Sequence, residues 1–122
     1  MKSDKLTKGK SLGIRKNGVK LNLKVKVADG FFSRFKGLMF KNFLPADEGL
    51  LLIPCNSVHT FSMRFEIDII FIDEGGLILA IEHSMPANKI TKPIKGCVKV
   101  LELAAGMAQK FSFKVGDQLN FN

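Results

Sequence analysis

The chain contains neither tryptophan nor tyrosine, so its 11 phenylalanines supply aromatic mass with no polar handle, a composition suited to packing before recognition. Its only cysteines, Cys55 and Cys97, are too few and too far apart for a disulfide framework or a paired-thiol redox motif. Both read as buried free thiols, with pairing open only if their strands adjoin. The N-terminal segment lacks the run of roughly seven or more apolar residues that a secretory leader needs. No stretch approaches the ~20 apolar residues of a membrane-spanning helix. The expectation for the chain as given is therefore cytoplasmic, and a secreted protein if a leader has been removed. No G-x-G-x-x-G or P-loop pattern occurs, so nothing supports nucleotide cradling.

Acidic residues are scarce, with 11 Asp and Glu against 19 Lys and Arg, a formal charge of +8. Residues 1–18 hold six cations (Lys2, Lys5, Lys8, Lys10, Arg15, Lys16) against Asp4 alone, which is +5 and leaves +3 for the rest. That remainder predicts no nucleic-acid groove. With Gly9, Gly13 and Gly18 and little apolar content, residues 1–18 read as a flexible basic arm. Such an arm makes at most weak contact with nucleic acid or an anionic surface, and solvated and inert is its plain reading. The hydrophobic fraction of 46 % and charged fraction of 25 % fit one ordinary globular domain, placed at 19–122.

Val19, Leu21, Leu23, Val25 and Val27 alternate with polar residues, the period of a half-buried strand. Asp29 is placed to cap a short helix carrying Phe31, Phe32 and Phe35, stopped at Gly37. Leu50–Ile53 predicts a short buried strand ended by Pro54, and Ile67–Ile72 a second apolar strand. Asp73-Glu-Gly-Gly76 predicts a hairpin loop into a strand from Leu77 to Ile81. Cys97–Leu103 resumes alternation, Ala104–Phe111 has helical composition, and Val115–Gln118 turns into a last strand through Leu119 and Phe121. Six or seven short strands with two small helices predict a barrel or sandwich.

Between Cys55 and Asp73, His59, Arg64 and Asp68 stand among apolar residues and require partners. Arg64 and Asp68 lie about 13 Å apart along an extended strand, so they pair only if a bulge near Glu66 shortens the path. The pair is then a structural clamp; otherwise Arg64 is an anion-binding group. His59 makes Cys-x3-His with Cys55, and adding His83 and Cys97 completes four zinc-type ligands at a spacing that matches no zinc motif. A Cys55–His59 nucleophile pair lacks an evident third, orienting group. Met39, Met63, Phe40, Phe43, Phe61 and Phe65 form either ordinary core or the wall of an apolar pocket with Arg64 at its mouth.

The segments Arg34-Phe-Lys-Gly37-Leu-Met39, Val58-His-Thr-Phe-Ser-Met-Arg-Phe65, Ile67-Asp-Ile-Ile-Phe-Ile-Asp73, Leu101-Glu-Leu103 with Gly106, and Gly116-Asp117 resemble, in order, the family called domain of unknown function 192. The resemblance covers about residues 20 to 121 and implies a small, mostly β, barrel-like domain. It brings no agreed activity and no catalytic residues. Many members of that family have proline where this chain has Glu66, and many carry a secretory or lipoprotein leader.

The sequence thus predicts a mainly β (α+β) single domain, β-barrel-like with two short helices. Its expected role is a small binding or accessory module with a pocket for an anionic or carboxylate-bearing ligand near Arg64. His59, Thr60, Met63, Arg64 and Asp68 are the candidate ligand residues; no catalytic residue, metal or cofactor is expected. The alternatives are a hydrolase or transferase using Cys55 and His59, and an interaction protein whose basic arm binds nucleic acid or an acidic partner.

Overall fold

Wherever apolar and polar residues alternate in this chain, the backbone is extended, and the run in which alternation gives way to unbroken apolar sequence becomes a strand covered on both faces. A computed structural model describes residues 11–122 apart from 31–33 and 35. In chain order the strands are β1 (Ile14–Lys16), β2 (Val19–Lys20), β3 (Lys24–Ala28), β4 (Glu48–Leu52), β5 (Ile67–Asp73), β6 (Ile78–Met85) and β7 (Cys97–Ala104). A single turn of helix, α1 (Met107–Lys110), and β8 (Leu119–Phe121) follow.

The domain is mainly β, as its sequence predicts, but it is not a closed barrel. A five-stranded sheet in the order β3-β4-β7-β5-β6 lies against a three-stranded sheet β2-β1-β8. The larger sheet stays open because β3 and β6 are its two edges and do not pair with each other. Of the two predicted helices, α1 is present. For the other, Arg34 and Lys36 have helical backbone, while Phe31, Phe32 and Phe35 lie outside the described residues.

The strand predicted from Val19 through Val27 is two strands. Val19–Lys20 pairs with β1, whereas Lys24–Ala28 joins the larger sheet in parallel with β4. Val19 is correspondingly exposed and Val25 fully buried. Residues 11–18, assigned above to the basic arm, are part of the domain: Ile14 is fully buried, and β1 pairs along its length with β8. Residues 1–10 lie outside the described residues.

The predicted hairpin at Asp73–Gly76 is present. Asp73 Oδ1 accepts the backbone N–H groups of Gly75 at 2.9 Å and Leu77 at 2.8 Å, closing the turn between β5 and β6. Gly76 has φ +97°, and a β-carbon there would collide with the Leu119 carbonyl, whose residue donates its N–H to Gly76 O at 2.8 Å.

The larger sheet has two unlike faces. Ile70, Ile72, Leu101 and Leu103 point to one, where Ile14, Leu119, Ala108 and Phe113 from the smaller sheet and the α1 region close over them. Ile67, Ile69, Phe71 and Val100 point to the other. That face is covered by connecting segments: Leu38 from the crossover, Val58 and Met63 from the β4–β5 connection, and Ile94 from the β6–β7 connection. Parallel strands cannot be joined by a tight turn, so the β3–β4 pair requires a long crossover, here residues 29–47, and this crossover roofs the second face.

Candidate functional site

Between the crossover and the second sheet face lies a cleft of about 230 Å³. Its walls are apolar: Leu38 and Met39 from the crossover, Leu52 from the end of β4, and Val58 and Met63 from the β4–β5 connection. Arg34, Lys36 and His59 also line it. Glu102, on β7, is the acid among its lining residues.

Glu102 sits mid-sheet, between Leu50 of β4 and Ile69 of β5, and is 2 % exposed. Its Oε1 is buried without a hydrogen-bond partner. Burial pushes the carboxyl up to about 8, so near neutral pH it is mostly protonated and able to donate. A β-carbon built on Gly37, in the crossover, would stand 3.7 Å from that oxygen. A buried polar atom left unsatisfied costs about 1–3 kcal/mol, which a ligand atom in the cleft would recover.

Arg34 is held by its own segment, Nη1 donating to the Asp29 carbonyl at 2.7 Å. Lys36 is exposed. His59 Nδ1 accepts the Phe61 N–H at 3.1 Å, which places the proton of a neutral ring on Nε2, and the two rings stack with centroids 4.9 Å apart.

Cys55 also borders the cleft, its Sγ donating to the Ser57 carbonyl at 3.0 Å. Burial pushes its thiol up, and the charges of Glu102 and Cys97 act in the same direction against a smaller opposing effect of Arg34. Cys97 is likewise pushed up by burial. Both thiols are free. Neither has the lowered pKa of an activated nucleophile.

Of the five candidate ligand residues, the structure brings His59 and Met63 to the cleft. Thr60 is fully buried and staples the segment after β6: its hydroxyl donates to the Pro86 carbonyl at 2.7 Å and accepts the Lys89 N–H at 2.9 Å. Arg64 is exposed and donates to Asn42 Oδ1 at 2.7 Å, away from Asp68. Asp68 is fully buried with both oxygens occupied, accepting the N–H of Ser84 at 2.8 Å and of Ala108 at 2.9 Å. No Arg64–Asp68 clamp forms. His83 lies beside Asp68 in a separate hollow, apart from Cys55 and His59. Among the described residues no three His, Cys, Asp or Glu side chains converge to hold a metal.

The sequence argument passed over Glu102 and Arg34. The signal for Glu102 was available: an acid inside Val100-Leu-Glu-Leu103 is as anomalous in a buried strand as Asp68 is in β5.

The comparisons with known proteins agree with this architecture. The DUF192 family, described as "Uncharacterized ACR", matches residues 13–121. A "UPF0127 protein" of Pyrococcus furiosus is 29 % identical over 110 residues, covering 86 % of this chain and 92 % of that one. A "UPF0127 protein" of Thermococcus sibiricus is 29 % identical over 106 residues, covering 80 % of this chain, which spans only 66 % of that protein's length. A crystal structure of a protein of unknown function from Novosphingobium aromaticivorans superposes with a TM-score of 0.79 at 20 % identity, covering 90 % of this chain and 83 % of that one, a likeness of fold. With its family match running from β1 to the end of β8, the chain belongs to the DUF192 family.

Proposed function

We propose that this domain is a small binding module whose cleft takes the carboxylate or other anionic end of a ligand with an apolar part. The supporting observation is Glu102, a buried and mostly protonated carboxyl with one oxygen unpartnered beside the cleft. A neutral carboxyl donates to an anion's oxygen, and Arg34 and Lys36 supply positive charge. The Leu and Met walls hold the apolar part. This reading keeps the ligand class inferred from the sequence and moves its anchor from Arg64 to Arg34, Lys36 and Glu102. The cleft's size, below the roughly 300–1,000 Å³ of sites for drug-sized molecules, suits a short ligand or the end of a longer one. The reading in which Cys55 attacks a substrate is not favoured, because its thiol is shifted away from the reactive thiolate.

Thermal unfolding of the pure protein against acetate, butyrate, hexanoate and inorganic phosphate tests the proposal. A ligand at about 100 times its dissociation constant adds about 2.7 kcal/mol of stability. The expected result is a midpoint that rises with carboxylate chain length and a rise that disappears in Glu102→Leu. Equal responses of wild type and Glu102→Leu, or no response to any of these anions, would overturn it.

A further inference from the structure

We infer that the rim beside the cleft is a docking surface for an anionic lipid bilayer, formed by Phe40, Phe43 and Phe61 together with Lys36, Lys41 and Arg64. Phe40 is 60 % exposed, Phe43 67 % and Phe61 44 %, in a chain whose other phenylalanines include the buried Phe71 and Phe113. Two segments carry the three rings, the crossover and the β4–β5 connection, and hydrogen bonds join them. The Phe40 N–H donates to the Ser62 carbonyl at 3.0 Å, and Arg64 Nη1 to Asn42 Oδ1 at 2.7 Å.

Backbone conformation adds a second observation. Phe40 has φ +66° and Ser62 φ +59°, both in the left-handed region. A bulky residue there is an outlier that costs free energy, and such outliers cluster at functional positions. Here the cost accompanies a ring turned to solvent, so it secures no burial for Phe40.

Charge selects the occupant. Segments 36–46 and 59–65 contain Lys36, Lys41 and Arg64 and not one Asp or Glu. All three cations are exposed, and Arg64 bonds a neutral amide, which leaves its charge uncompensated. Apolar rings flanked by cations match the boundary between acyl chains and anionic headgroups. Phenylalanine, with no hydroxyl or indole N–H to hold in water, sinks into the apolar side of that boundary. A single-stranded nucleic acid also pairs rings with cations, but it uses successive platforms along a basic groove. These rings stand on two connecting segments at the end of an apolar cleft, a geometry that suits insertion.

The full-length chain supplies its own test, because the absence of tryptophan and tyrosine makes Phe43→Trp a unique fluorophore. Emission from F43W is expected to shift to the blue with phosphatidylcholine vesicles containing phosphatidylserine, and not with phosphatidylcholine alone. Adding Phe40→Ser and Phe61→Ser is expected to weaken vesicle partition by about tenfold or more, with the thermal midpoint unchanged because both side chains are exposed. Four results overturn the inference: no blue shift with the anionic vesicles; partition unaffected by the two serine substitutions; partition abolished by deleting residues 1–10 with the rim intact; or a single-stranded oligonucleotide that binds through the same phenylalanines while vesicles do not. None of these outcomes depends on what the cleft holds.

Discussion

Asp68 and Glu102 sit on neighbouring strands of one sheet, one register step apart, where Asp68 faces Leu103 and Ile69 faces Glu102. Both are buried, yet they answer to opposite faces of the sheet. Asp68 lies on the side closed by α1 and accepts two backbone N–H groups, so its burial is compensated. Glu102 lies on the side roofed by connecting segments, and its Oε1 has no partner. A carboxylate fully engaged by main-chain donors is a tie between elements. A carboxyl left open beside a cleft is an invitation to a ligand, and the two faces differ in purpose accordingly.

The closed face should be the costlier to damage. Ile70→Ala, at a fully buried position between the two sheets, is expected to lose about 4 kcal/mol in urea unfolding. It should leave the cleft's anion response in place if the mutant still folds. Asp68→Ala removes the acceptor for Ser84 and Ala108 and is expected to cost about 3 kcal/mol, with amide exchange accelerated at Ala108. A cost near zero would mean that the contrast between the two acids is false.

Glu102 should behave in the opposite sense. The unfolded chain gives up this proton near 4.5, while the folded protein keeps it until about 8. Between those values the native state binds more protons, so stability falls as pH rises, by up to roughly 1.4 kcal/mol per pH unit. Below the window both states are protonated, and above it both are ionised, so the slope vanishes at each end. Glu102→Gln is expected to remove this slope, and at about pH 8 Glu102→Leu should be more stable than wild type by about 2 kcal/mol. Urea midpoints measured across the window would decide; a wild type without the slope contradicts a buried, mostly protonated Glu102. The smallest effect is expected at Thr60→Val, which keeps the shape and loses the hydroxyl bonds to Pro86 and Lys89, costing about 1 kcal/mol. Its signature should be faster proteolysis within 86–92 with little change in global stability.

Local order was legible from the residues themselves. The β5–β6 hairpin follows from an apolar run, an Asp that can bond its own turn and two glycines, all within one short stretch. The choice of neighbours was not legible. Nothing in the alternation of residues 19 to 27 says that Val19–Lys20 and Lys24–Ala28 belong to different sheets, or that β3 runs parallel to β4. Periodicity reports which side of a strand is buried and carries no partner information. The site shared that fate: proximity in sequence drew attention to Arg64 and Asp68, while the cleft gathers Arg34, His59 and Glu102 from the crossover, the β4–β5 connection and β7.

The pairing of β1 with β8 sets Ile14 against Phe121, and Asn122 donates its N–H to Gly13 O at 3.0 Å. The two ends of the folded unit therefore leave from the same place. A chain arranged in this way can be opened elsewhere and rejoined there with a short linker, or spliced as a cassette into a surface loop of a host. The same geometry makes this contact span almost the entire polypeptide, so its loop-closure entropy is the largest of any strand pairing here. The small sheet should be the last part of the protein to assemble and the first to fray.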